Sequence, residues 1–284
     1  MKDESIRVEE RDAMLLGAVS AAAEELGTEW FVCGASARVF VCEDMKGMQP
    51  GRATGDLDFG VFVNTMAEYE NLRQLLCNKY DFMPDPYRQA QRLVYRRNGS
   101  TIDMLPFGDF TGASKTFRWG EDDGFEMNVL GFEEAYNSSI TLTVNESITI
   151  RVASYAEQFS LKLLAWEDRH TNRKEYEDSR DLAYFLQHAE DWYGLDFLHD
   201  EFPLELEKFD YDIGDAAAFA LGCDLALSFG EVSLERITGI LRAARDDPDS
   251  LLVREVAIEL PYSNREERAH RLLEIVLEGI SSKC

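Results

Sequence analysis

The chain has 284 residues, of which 45% are hydrophobic; that is enough for one large or two modest domains and too apolar for a disordered chain. Its 54 acidic and 29 basic residues leave a formal net charge of −25, spread over both halves, so the average surface repels a polyanion such as RNA unless a local basic groove receives it. No apolar run reaches membrane-spanning length, and the charged start "MKDESIRVEERD" is not of signal-peptide form.

Five cysteines and four histidines lie scattered, without C-x-x-C or other metal-ligand spacing. This predicts reduced thiols in a cytoplasm, with neither a disulfide framework nor a zinc site.

In chain order, residues 8–26 have helical spacing and good helix formers, with Gly27 as a stop. "EWFVCG" reads as a buried strand, and "ASARVFVCEDM" after it as a helix. "GMQPGRATG" is a loop, punctuated by glycine and proline. "DLDFGVFV" is a strand, and residues 66–79 form an amphipathic helix. "QRLVYRRNGSTIDMLPFG" has apolar runs on both sides of Asn98-Gly99, a strong hairpin signal. A further pair of strands lies in "ITLTVNESITIRV". The character changes near residue 152. Ser154 and Glu157 have capping-box spacing, and helices follow in "YAEQFSLKLLAW", "YEDSRDLAYFLQHA", "DIGDAAAFALGCDLALSF", "SLERITGILRAARD", "LVREVAIEL" and "REERAHRLLEIVLEGI". The class is α+β: a mixed domain over 1–152 and a helical one over 153–284.

Chemistry concentrates in the first domain. Side chains alternate along a strand, so Asp56 and Asp58 share a face while Leu57 points away. Two carboxylates one pleat apart repel, and both stay ionised if a divalent cation sits with them. Their oxygens suit Mg²⁺; the plain alternative is a pair of aspartates capping a strand end. Upstream, "FVCGASAR" runs strand, Gly34, small residues, helix. Gly34 and Ala35 permit close backbone approach, and Ser36 offers a hydroxyl and an amide where a helix start favours a phosphate; a simple serine-capped turn is the other reading. Asp103 is a third carboxylate, on the second arm of the hairpin. Together these residues form a phosphate cradle beside an acidic triad, as two-metal nucleotidyl transfer requires. Asp103 would hold the second ion or accept a proton.

"CGASAR…RATGDLDFGV…IDMLPFG" resembles the polymerase-beta-type nucleotidyltransferase superfamily, whose pattern is hG[GS], then Dh[DE]h on one strand, then a later carboxylate. Within it the chain is most similar to the AbiEii/AbiGii-type, type IV toxin-like branch. Gly34, Ala35, Ser36 and Ala37 match that branch's turn, and Arg52, Thr54, Asp56, Asp58 and Phe59 match its strand. "RVASYAEQFSLKLLAWEDRHTNRKEYEDSRDLAYFL" matches its later portion. Ala35 replaces the second glycine, and the stretch between Gly34 and Asp56 is longer than usual.

The resemblance implies a nucleotidyltransferase fold whose helical second domain completes the cleft. It assigns the metal to Asp56, Asp58 and Asp103, and the nucleotide to Gly34, Ser36, Arg38, Lys162, Lys174 and Asp178. It also implies two Mg²⁺ ions, an NTP substrate, and a tRNA end, protein or small molecule as acceptor, with a cognate antitoxin. An aminoglycoside-modifying enzyme and a nucleotide-binding protein without catalysis are the competing expectations. By spacing alone, Phe159, Leu163 and Trp166 are core, Lys162 stretches over them, and Lys174, Asp178 and Asp181 read equally as surface ion pairs. Arg88, Arg92, Arg96 and Arg97, with Tyr87 and Tyr95, make a basic patch able to meet nucleic acid or to face solvent.

Overall fold

The computed structural model describes residues 4–87, 90–119, 126–170 and 176–282. Lys174, Arg88 and Cys284 lie outside them. The chain divides into two compact units, residues 1–154 and 155–284, the first mixed and the second, over its described residues, helical.

The first unit carries strands β1 (Glu4–Ile6), β2 (Glu29–Cys33), β3 (Asp56–Phe62), β4 (Phe82–Pro84), β5 (Arg92–Tyr95), β6 (Thr101–Phe107), β7 (Thr116–Arg118), β8 (Glu126–Asn128), β9 (Ile140–Val144) and β10 (Ile148–Val152). Its helices are α1 (Glu10–Leu26), α2 (Gly34–Arg38), α3 (Met66–Lys79) and α4 (Phe132–Asn137). Eight strands form one sheet in the order β1-β9-β10-β2-β3-β6-β5-β4, and β7 pairs with β8. β3 and β6 run parallel at the centre, flanked by antiparallel β2 and β5.

Local chemistry explains most of these elements. α1 ends because Gly27 adopts φ 66°, and the amides of Gly27 and Thr28 return to the carbonyls of Glu24 and Ala23, a left-handed cap that glycine allows. α3 starts at Thr65, whose hydroxyl accepts the Glu68 amide, while the Glu68 carboxylate accepts the Asn64 amide. β9 turns into β10 through Asn145 and Glu146, both at positive φ, which suits the right-handed twist of a hairpin. The expected helix over 35–45 divides: α2 continues over Val39–Met45 in the wider π winding. One sheet face is apolar, with Leu57, Phe59, Ile102 and Met104 all buried. Phe31 and Phe107 meet Phe132 and Tyr136 edge-on or tilted.

The second unit contains α5 (Tyr155–His170), α6 (Glu177–Gln187), α7 (Ala189–Tyr193), α8 (Leu195–Glu201), α9 (Pro203–Lys208), α10 (Ile213–Ser228), α11 (Glu231–Asp246), α12 (Leu251–Glu259) and α13 (Arg265–Ser281). α10 is apolar nearly all round, with Ala216 to Leu221 buried, so it serves as the central helix. α13 packs along it. No described helix is long and apolar enough to cross a membrane. Cys33, Cys42 and Cys77 form no disulfide, but Cys223 on α10 is disulfide-bonded. That corrects the expectation of reduced thiols throughout, since pairing depends on separation in the fold and not on C-x-x-C spacing.

Candidate active site

Four residues stand in a row across the centre of the first unit's sheet. Cys33 on β2 pairs with Asp58 on β3, Asp58 with Asp103 on β6, and Asp103 with Arg92 on β5. Asp56 lies two residues before Asp58, hence on the same face, roughly 7 Å along the strand. The alternation is visible in burial: Leu57 and Ile102 are buried, whereas Asp56, Asp58 and Asp103 are partly open. The three aspartates therefore converge on one face of two neighbouring strands.

Arg92 binds them together. Its Nε donates to Asp103 Oδ1 at 2.7 Å, and one terminal nitrogen donates to Asp103 Oδ2 at 2.8 Å and to Asp56 Oδ2 at 2.6 Å. The remaining Asp56 oxygen accepts the Thr54 hydroxyl at 3.1 Å. The hydrogen bond to Asp103 and the charges of Asp103, Asp56 and Asp58 raise the Arg92 pKa against the opposing effect of burial. Among the described residues no group of three or more His, Cys, Asp and Glu side chains stands assembled as a metal cage; Asp56 and Asp103 close on a guanidinium instead.

The glycine bend lies directly beside this cluster. Gly34 has φ 63°, and a Cβ built on it would fall 2.1 Å from Asp58 Oδ2, so a side chain there would collide with the carboxylate. Ser36 is buried; its hydroxyl donates to the Cys33 carbonyl and accepts the Asp58 amide. It ties the bend to β3. Arg38, only 1% exposed, pairs with Glu43 and donates to the Arg52 carbonyl at 2.5 Å. Glu43 also accepts the Gly51 amide. Arg38 and Glu43 thereby brace the loop over 46–55 that delivers Thr54 and Asp56.

Of the residues expected in the second unit, Lys162, Asp178 and Asp181 are described, and they meet one another. Lys162 on α5 contacts Asp178 at 3.2 Å and Asp181 at 2.7 Å, and Arg169, two turns further along α5, contacts Asp178 at 2.9 Å. Both aspartates are 3% exposed. Asp178 and Asp181, three residues apart on α6, thus share one face, and Lys162 and Arg169 meet it from α5.

The arginines of the hairpin do not form one basic face. Arg92 turns into the acidic cluster, Arg96 donates to the Phe82 carbonyl, and Arg97 pairs with Asp81. Tyr87 is 88% exposed. Spacing placed Arg92 only in the basic patch, because a hairpin signal at Asn98-Gly99 does not set which residues oppose one another. The connection spans residues 96–99, and it sets Arg92 opposite Asp103.

No protein-family model matches the sequence, and no curated protein matches it. Several solved structures are similar to it. An antigenic nucleotidyltransferase-like protein from Paracoccidioides brasiliensis is 18% identical, with a TM-score of 0.42 over 72% of this chain and 92% of that one. The antibiotic-resistance factor ANT(2'')-Ia is 11% identical, with a TM-score of 0.39 over 71% of this chain and 95% of that one. JHP933 from Helicobacter pylori is 11% identical, with a TM-score of 0.37 over 96% of this chain and 94% of that one. Each of these likenesses is distant, and the architecture of this chain stands on its own strand order and register.

Proposed function

We propose that the chain is a metal-dependent nucleotidyltransferase, moving a nucleoside monophosphate from an NTP to an acceptor with Asp56, Asp58 and Asp103 as its catalytic carboxylates. The observation that carries this reading is the register: Asp58 and Asp103 are cross-strand partners, and Arg92 joins Asp56 to Asp103. Carboxylate oxygens from two adjacent strands are a donor set that suits Mg²⁺. A guanidinium drawn in among them supports the fit, because the cluster already accommodates positive charge. When bound, divalent ions lower the pKa of an attacking hydroxyl and offset charge on the phosphoryl oxygens.

The chain's own residues do the rest. An acceptor oxygen forms a bond to the α-phosphorus as the bond to the β-phosphate oxygen breaks, and pyrophosphate leaves. Asp103 takes the acceptor's proton on a carboxylate oxygen. Gly34 leaves room for the Asp58 carboxylate to lie against the turn. The hydroxyl of Ser36 and the guanidinium of Arg38 are engaged within the fold, so phosphate contacts at this turn fall to the main chain of residues 34–36. Nucleotide-binding roles for Lys162, Lys174 and Asp178 rest on the resemblance alone.

The same resemblance carries the finer assignment: an AbiEii-type toxin with a cognate antitoxin, acting on a tRNA end or a protein. A net charge of −25 favours a protein acceptor over RNA. It also suits a cationic aminoglycoside, and the two roles separate in cells, where the first gives growth arrest and the second drug resistance.

Label transfer from each α-labelled NTP tests the activity. Asp58→Ala is expected to lower transfer by at least about 10²-fold, with an unchanged circular dichroism spectrum. Undiminished transfer by that variant removes the site assignment, and tight NTP binding without turnover by the wild type favours a non-catalytic nucleotide-binding protein.

A further inference from the structure

Arg92 engages three of the four carboxylate oxygens of Asp56 and Asp103, and Thr54 holds the fourth. The arginine side chain is 25% exposed and that of Asp103 14%, so these charges are only partly screened by water. Three carboxylates gathered on one face repel one another unless a positive charge sits with them. A guanidinium stays protonated at any working pH. It can leave the cluster only by moving, because it cannot give up its charge. A guanidinium and a divalent cation drawn to the same oxygens exclude each other by like-charge repulsion.

From this we infer that Arg92 is a resident counter-cation, which competes with the divalent ion for Asp56 and Asp103 and must swing out for the ion to load. The inference rests on the nucleotidyltransferase reading above and adds a positioning residue to it. In the metal-free protein Arg92 keeps the acidic cluster compact. It also sets a threshold of divalent-ion concentration below which the site stays closed. Its fork is bidentate on Asp103 and reaches Asp56 with the same nitrogen, a geometry that a lysine, as a single-point donor, cannot reproduce.

The test is a titration of the full chain with Mn²⁺ alone, at constant ionic strength, with free ion counted by electron paramagnetic resonance. Asp58→Ala serves as the blank for the site. Arg92→Gln is expected to bind Mn²⁺ at least ~10-fold more tightly than wild type, about 1.4 kcal/mol. Without metal the variant melts below the wild type, and millimolar Mg²⁺ restores more of its Tm than it adds to the wild type. Arg92→Lys is expected to bind more tightly than wild type by a smaller factor, and it decides the matter if the glutamine variant does not fold. Equal or weaker Mn²⁺ binding by a folded Arg92 variant overturns the inference while leaving the nucleotidyltransferase reading intact. Absence of any Asp58-dependent Mn²⁺ binding, in wild type and variants alike, overturns both.

Discussion

Gly34 is where the demands of backbone and chemistry meet in a single residue. Its φ of 63° lies in the left-handed region, and the missing Cβ leaves the space that Asp58 Oδ2 fills. Gly34→Ala therefore adds backbone strain and pushes against the Asp58 carboxylate. Its expected cost is about 1–3 kcal/mol of stability, read from the urea midpoint, together with lost transfer activity. A variant as stable and active as wild type would mean that the bend does not support Asp58. The neighbouring aspartates were legible in the sequence, because alternation alone turns Asp56 and Asp58 to one face. Ser36 was legible as a turn residue, but the destination of its hydroxyl was not. Arg38 carries no signal of burial in its own spacing; its partner Glu43 stands five residues on in the π-wound segment, and the Arg52 carbonyl reaches it through a loop whose path composition does not specify.

At the scale of elements, long periodic segments are the ones that spacing reveals. α1, α3, α11, α12 and α13 follow their apolar repeats within a few residues, and α10 shows as one long run of small and apolar residues. β1 was missed because three residues are too few to show a period, and its parallel partner β9 lies far along the chain. The short helices α7 to α9 were missed for a related reason, since each is about two turns or less. Helix contact adds a constraint that no periodicity shows. Gly222 on α10 and Gly279 on α13 face each other so closely that a Cβ on either would fall 2.2 Å from a backbone carbonyl oxygen of the opposite helix. Gly279→Ala is thus an overpacking change with only backbone to displace. It is expected to destabilise the protein by about 1–3 kcal/mol, measured by urea denaturation; an unchanged midpoint would show that the two helices separate freely.

Over the whole molecule the dominant quantity is charge. With 54 acidic residues against 29 basic, self-repulsion opposes the compact state, and added salt screens it. Raising NaCl from ~20 mM to ~300 mM is expected to raise Tm by about 2–5 °C, measured by circular dichroism at neutral pH in the absence of divalent ions. A Tm that falls would show that paired clusters such as Arg92 with Asp56 and Asp103, or Lys162 with Asp178 and Asp181, outweigh the net repulsion.

Residue order alone determined the change from mixed to helical character, the long helices, the central strands and the shared face of Asp56 and Asp58. These follow from periods of 2 and 3.6 residues and from glycine, all local to the chain. Only the tertiary structure decided that Asp103 stands beside Asp58, that Arg92 closes on the acids, and that Lys162 is spent on Asp178 and Asp181. Such pairings depend on strand register and helix contact, which join residues distant in sequence and are set by the packing of the whole unit.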